Sequence, residues 1–108
     1  LSPDGQLALT GGWDKILSLW KLPQRIELAR YLGHGGHIYA AAFSPDGRRI
    51  LSGDNKPEVR LWDTKTTQEL HCYQGHTKSI SRVCFSPDGR YGLSSGNDDT
   101  VRLLGLPP

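Results

Sequence analysis

The chain has 108 residues, 36% of them hydrophobic, with 13 basic against 11 acidic side chains for a net charge of +2. That near-balance excludes the basic stripe of a nucleic-acid binder, and no apolar run approaches the roughly 20 residues needed to cross a membrane. No signal-peptide pattern opens the chain, and methionine is absent even at position 1, so the natural N-terminus is expected to lie upstream.

Along the chain, Ser-Pro-Asp-Gly recurs at Ser2–Gly5, Ser44–Gly47 and Ser86–Gly89, each copy 42 residues from the last. A fixed period of this length marks an array of one supersecondary unit. The tetrapeptide is itself a turn: Pro45 presets φ at the second position, Asp46 tolerates the third, and Gly47 suits the fourth. In the first unit the turn is followed by the runs of a second, third and fourth strand. The second unit supplies Ile38–Phe43, Arg49–Ser52, Val59–Trp62 and Glu69–Tyr73, with a loop over Gly53–Glu58. The third repeats it with Ile80–Phe85, Tyr91–Ser94 and a last run before Leu106-Pro107-Pro108. Turn-bounded runs of about five residues read as strands, and no 3.6-residue period survives.

Ala40, Ala41, Ala42 and Phe43 are apolar on both faces, which predicts an inner strand buried on both sides. Glu69–Tyr73 is mixed and suits an outer rim. Four-stranded sheets repeated radially, with small residues innermost, make a β-propeller. Cys72 and Cys84 are too few for a disulfide framework and lack zinc-ligand spacing, so they read as free thiols of a reducing, cytoplasmic compartment. Cys84 stands where the preceding unit has Ala42 and is expected to be a small core residue.

Gly33-His34 lies ten residues before Phe43-Ser44, Gly75-His76 recurs one period later, and Leu61-Trp62-Asp63 closes a third strand. A Gly-His start and a Trp-Asp end in a unit of this length resemble the WD repeat, and the resemblance covers essentially the whole chain. It implies an all-β, incomplete propeller of four-stranded antiparallel blades, divided as residues 1–31, 32–73 and 74–108. It also implies a buried hydrogen-bonded tetrad of His, Ser or Thr, Asp and Trp in each blade. By alignment these are Thr10, Asp14 and Trp20; His34, Ser52 and Trp62; and His76, Ser94 and Asp98. Lys56 aligns with Asp14 and Asp98, so the second tetrad is expected to lack its carboxylate. Leu104 aligns with Trp20 and Trp62, so the third lacks its indole and its blade should be looser. Lys21 replaces the Asp that follows the Trp.

His76, Ser94 and Asp98 are also the residue types of a hydrolase triad. A group copied once per unit reads instead as a network that satisfies each blade's own buried polar atoms, so no catalytic residue is assigned. His34-Gly-Gly-His37 has no further ligand nearby, and no metal or cofactor is expected. Arg48, Arg49 and Arg90 beside the turns read as a solvated rim, with phosphate or acidic-peptide contact as the functional alternative.

Members of the family mostly bind proteins or peptides on the face bearing the loops before the first strand and after the second. Trp13, Asn55 and Asn97 map to that face, with His37, Tyr39, Ser79 and Ser81 near the same entrance. Trp13 stands where its counterparts are Asn, and an exposed Trp is a frequent interface anchor. The resemblance thus implies a non-catalytic protein-interaction scaffold, the C-terminal end of a propeller of about seven blades and ~300 residues. The alternative is the docking or sensor propeller of a larger signalling enzyme, such as a bacterial serine/threonine kinase.

Overall fold

A computed structural model describes residues 2–11, 15–22 and 24–107. Ten strands follow one another: β1 (Leu7–Thr10), β2 (Leu17–Lys21), β3 (Ile26–Tyr31), β4 (Ile38–Phe43), β5 (Arg49–Asp54), β6 (Val59–Asp63), β7 (Glu69–Tyr73), β8 (Ile80–Phe85), β9 (Tyr91–Gly96) and β10 (Val101–Gly105). They form three antiparallel meanders, β1-β2-β3, β4-β5-β6-β7 and β8-β9-β10, and among the described residues there is no helix.

The repeated tetrapeptide closes two of these hairpins and precedes β1. In each copy the Gly amide donates to the Ser carbonyl at 2.9–3.0 Å, while the serine hydroxyl donates to the Asp carboxylate and accepts from a following amide. Gly5, Gly47 and Gly89 take φ of 72°, 73° and 73°, the left-handed region where a Cβ costs most. The units repeat down to their irregularities. Bulges fall at Leu19/Trp20 and Leu61/Trp62, and again at Ile38/Ala40 and Ile80/Arg82. Each bulge adds local twist.

Two cores lie between the three sheets. Leu17, Leu19, Tyr31, Ile38, Ile50 and Trp62 fill the first, and Leu51, Val59, Leu61, Ile80 and Leu104 the second. The middle sheet is therefore covered on both faces, Ile50 and Trp62 pointing one way and Leu51, Val59 and Leu61 the other. Successive sheets are brought close by glycine: a Cβ on Gly53 would stand 2.4 Å from Ile80 Cγ2, and one on Gly11 2.6 Å from Ile38 Cγ2. The tyrosines lock the seams, Tyr31 donating to the Thr64 carbonyl at 2.6 Å and Tyr73 to the Gly105 carbonyl at 3.0 Å. Burial, with the charge of Asp63 added, pushes the Tyr31 phenol up to about 12.

Two expectations about burial need correction. The strand covered on both sides is β5, not β4, in which Tyr39 and Ala41 are exposed. Val83, the counterpart of Ala41 one period later, packs into the second core. Ala41 is exposed and stands outside the first core, into which its strand neighbour Phe43 packs. Cys84 is exposed rather than core. Val83 and Phe85 turn to the second core, so strand alternation aims Cys84 at the uncovered side of the third sheet.

Candidate functional site

The polar side chains with defined geometry lie between the Gly-His loops and the ends of the second strands. In the middle sheet, His34 and Ser52 are buried, and Trp62 brings its indole across from β6. The indole Nε1 donates to Ser52 Oγ at 2.8 Å, and Ser52 Oγ lies 2.5 Å from His34 Nε2. His34 Nδ1 sits 2.7 Å from Asp54 Oδ2. One proton arrangement satisfies the chain: indole N–H to hydroxyl, hydroxyl O–H to Nε2, and Nδ1–H to carboxylate.

Asp54 overturns the expectation that this unit lacks a carboxylate. It stands two positions before Lys56, at the end of β5, with its side chain fully covered. Its second oxygen accepts the amides of Lys56 and Glu58, each at 3.0 Å. Burial pushes the carboxyl up, but the bond from His34 and these two amides outweigh it and hold the group below the ordinary carboxylate range. The third sheet reaches the same arrangement from the other position. Asp98 lies 3.1 Å from His76 Nδ1, and a Cβ on Gly96, the counterpart of Asp54, would meet Asp98 Oδ1 and His76 Nδ1 at 3.0 Å each. A carboxylate fits there from the strand end or from the loop, but not from both. The sequence signal for Asp54 is the pairing Asp54/Lys56 against Gly96/Asp98.

In the third sheet His76 Nε2 is 2.8 Å from Ser94 Oγ, with Leu104 buried at the indole's register position. Thr100, which sequence reasoning missed, donates to Asp98 Oδ1 at 2.5 Å, and Thr77 N donates to Oδ2 at 2.9 Å. The Thr100 hydroxyl first, and the Thr77 amide after it, hold the Asp98 carboxyl well below its usual range. In the first sheet Trp20 Nε1 donates to Thr10 Oγ1 at 2.7 Å. Asp14 and Trp13 lie outside the described residues.

The order Ser–His–Asp matches a triad in connectivity, yet Ser52 is 0% exposed and its oxygen already accepts the indole. A nucleophile needs an accessible oxygen. Ser94, at 1% exposed, is equally shut away. Among the described residues, no cluster of His, Cys, Asp and Glu has the grouping of a metal site.

The residues expected at a partner-binding face fall into two groups. Asn55 braces the loop before β4: its Oδ1 accepts His37 N at 2.9 Å and its own amide donates to the His37 carbonyl at 3.0 Å. Asn97 N donates to the Ser79 carbonyl at 2.9 Å in the same way. Tyr39, 48% exposed, and Ser81 line a groove of about 760 Å³ along β4, β8 and β9, where Ser81 Oγ donates to the Ser95 carbonyl at 3.1 Å.

Antiparallel meanders of three and four strands, repeated at one period and packed sheet on sheet, are consistent with the blades of an incomplete β-propeller. The sequence model of the WD domain, G-beta repeat family (WD40) matches residues 1–21, 26–63 and 67–103. The chain belongs to the WD40 repeat family, whose repeats generally build non-catalytic scaffolds for protein–protein interaction. Among the described residues no helix is long and apolar enough to cross a membrane.

Proposed function

We propose that this chain is a stretch of a larger WD-repeat propeller that works as a non-catalytic protein-interaction scaffold in the cytoplasm. Its blades divide at residues 1–31, 32–73 and 74–108, and the His–Ser–Asp–Trp sets act as structural locks. The observation that carries this reading is the outward face of the third sheet. Leu93, Val101 and Leu103 are 39%, 70% and 68% exposed, whereas their counterparts one period earlier, Leu51, Val59 and Leu61, are at most 1% exposed beneath the third sheet. A face built like a blade-packing face is suited to another blade, and a bare apolar face of this kind marks an interaction site. One contact differs. Ser95 stands where Gly11 and Gly53 seat Ile38 and Ile80, so an incoming blade needs a side chain smaller than Ile there.

We place the partner at the end bearing His37, Tyr39, Asn55, Ser79, Ser81 and Asn97, and by alignment with Asn55 and Asn97 we assign Trp13 to the same contact. A photo-crosslinking residue at Tyr39 of the complete protein should trap a partner that the same residue at Lys65, at the opposite end, does not. Affinity for the trapped protein should fall at least about tenfold in Trp13→Ala, as for an aromatic anchor. Equal trapping from both positions, or unchanged affinity, would contradict this placement.

A further inference from the structure

We propose that the pocket where the second and third Ser-Pro-Asp-Gly turns meet binds a phosphate monoester, supplied by a phosphorylated serine or threonine of a partner protein. The two turns lie side by side, with Pro45 Cδ 3.7 Å from the Cβ position of Gly89. Between them and the segment after β10 is a cavity of about 660 Å³ walled by Arg48, Arg49 and Arg90 and by the apolar surfaces of Tyr91, Leu106 and Pro107. It lies at the end of the sheets opposite His37 and Asn55.

The fold does not require these arginines. The seam between the first and second turns is built from the same tetrapeptide, yet its cavity of about 270 Å³ is lined by Asp4, Leu7 and Asp46 with no cation. Gln6 and Leu7 stand there where Arg48 and Arg49 stand one unit later. Each acid in the arginine-lined pocket has one oxygen engaged by its own turn, and the charges of Arg48 and Arg90 act on Asp46 and Asp88 respectively. Asp46 Oδ1 accepts Ser44 Oγ at 2.6 Å and Arg48 N at 3.0 Å, and Asp88 Oδ1 accepts Ser86 Oγ at 2.5 Å and Arg90 N at 3.0 Å.

Arg48 and Arg90 are exposed, and among the described residues neither guanidinium makes an ion pair or hydrogen bond. Arg49 is held in place by donating to the Pro107 carbonyl at 2.5 Å. A carboxylate is satisfied by one guanidinium fork, whereas a phosphoryl group offers three oxygens and a second charge to forks from two blades. The apolar wall and the volume suit a phosphorylated side chain with its flanking backbone better than a bare ion. That source rests on the scaffold reading above; the pocket's chemistry does not.

The test is a binding titration of the complete protein with a phosphoserine octapeptide, its serine and glutamate versions, and inorganic phosphate. The phosphoserine peptide should bind, and Arg48→Gln combined with Arg90→Gln should weaken it about tenfold or more by removing charge-assisted hydrogen bonds. Lys15→Gln combined with Lys78→Gln removes the same charge at the opposite end and should change affinity by less than about twofold. Inorganic phosphate competing as well as the peptide would retain the pocket and overturn the peptide source. Glutamate binding as tightly as phosphoserine, equal losses in the two double variants, or no binding of any probe would overturn the proposal.

Discussion

Asp54→Ala is expected to destabilise the protein by about 3 kcal/mol, the cost of leaving buried hydrogen-bond donors without their acceptor. The change leaves the buried His34 Nδ1 without its acceptor and frees the amides of Lys56 and Glu58, so three donors lose their partner together. Combining Asp54→Gly with Lys56→Asp recreates the Gly96/Asp98 arrangement of the third sheet and should recover most of the loss. Denaturant unfolding of the three proteins measures both effects. A loss below about 1 kcal/mol in Asp54→Ala, no more than an ordinary surface change, would contradict a locking role.

The same carboxylate fixes a pH dependence. Asp54 is held below its ordinary value of about 3.9, so the native state binds fewer protons than the unfolded chain in that range. Its contribution is fully present above about pH 4 and is lost as pH falls through the depressed native value. Acid unfolding of Asp54→Asn should therefore show a shallower fall below about pH 4 than the natural sequence.

In the complete protein, Leu93→Ala and Val101→Ala are each expected to cost about 2–4 kcal/mol, the range for buried aliphatic truncations. Leu51→Ala is the internal standard, because Leu51 is fully buried against the third sheet and Leu93 is its repeat-equivalent. Without a covering blade, residues exposed at 39% and 70% should cost no more than about 0.5 kcal/mol. The two ranges do not overlap, so equilibrium unfolding separates a covered face from a bare one.

The repeated turn made most of the fold legible. Ser44–Gly47 and its copies set the register from which every strand pair could be aligned, and Glu69–Tyr73 and Ile80–Phe85 match their strands residue for residue. What strand periodicity could not reveal was which face has a neighbour. Ala41 and Cys84 are apolar and alternate correctly, yet both are exposed. The second carboxylate was hidden for a different reason. Alignment compares positions along the chain, whereas His34 needs an oxygen at a point in space that Asp54 reaches from the strand and Asp98 reaches from the loop. Loop anchors such as Thr100 leave no periodic trace, because their role depends on a bend and not on a register.

Membership of a larger blade ring is tested most directly by solvent access to the third sheet's outward face. With Cys72 and Cys84 replaced by serine, a single cysteine at Leu93 in the complete protein is alkylated alongside a reference cysteine at Lys65, which is exposed at a turn. A covering blade predicts that the thiol at Leu93 reacts slower than the reference by about a hundredfold or more, since reaction must then await an opening costing roughly 3 kcal/mol. Reaction at the same rate as the reference would show that face bare and would contradict the proposed propeller.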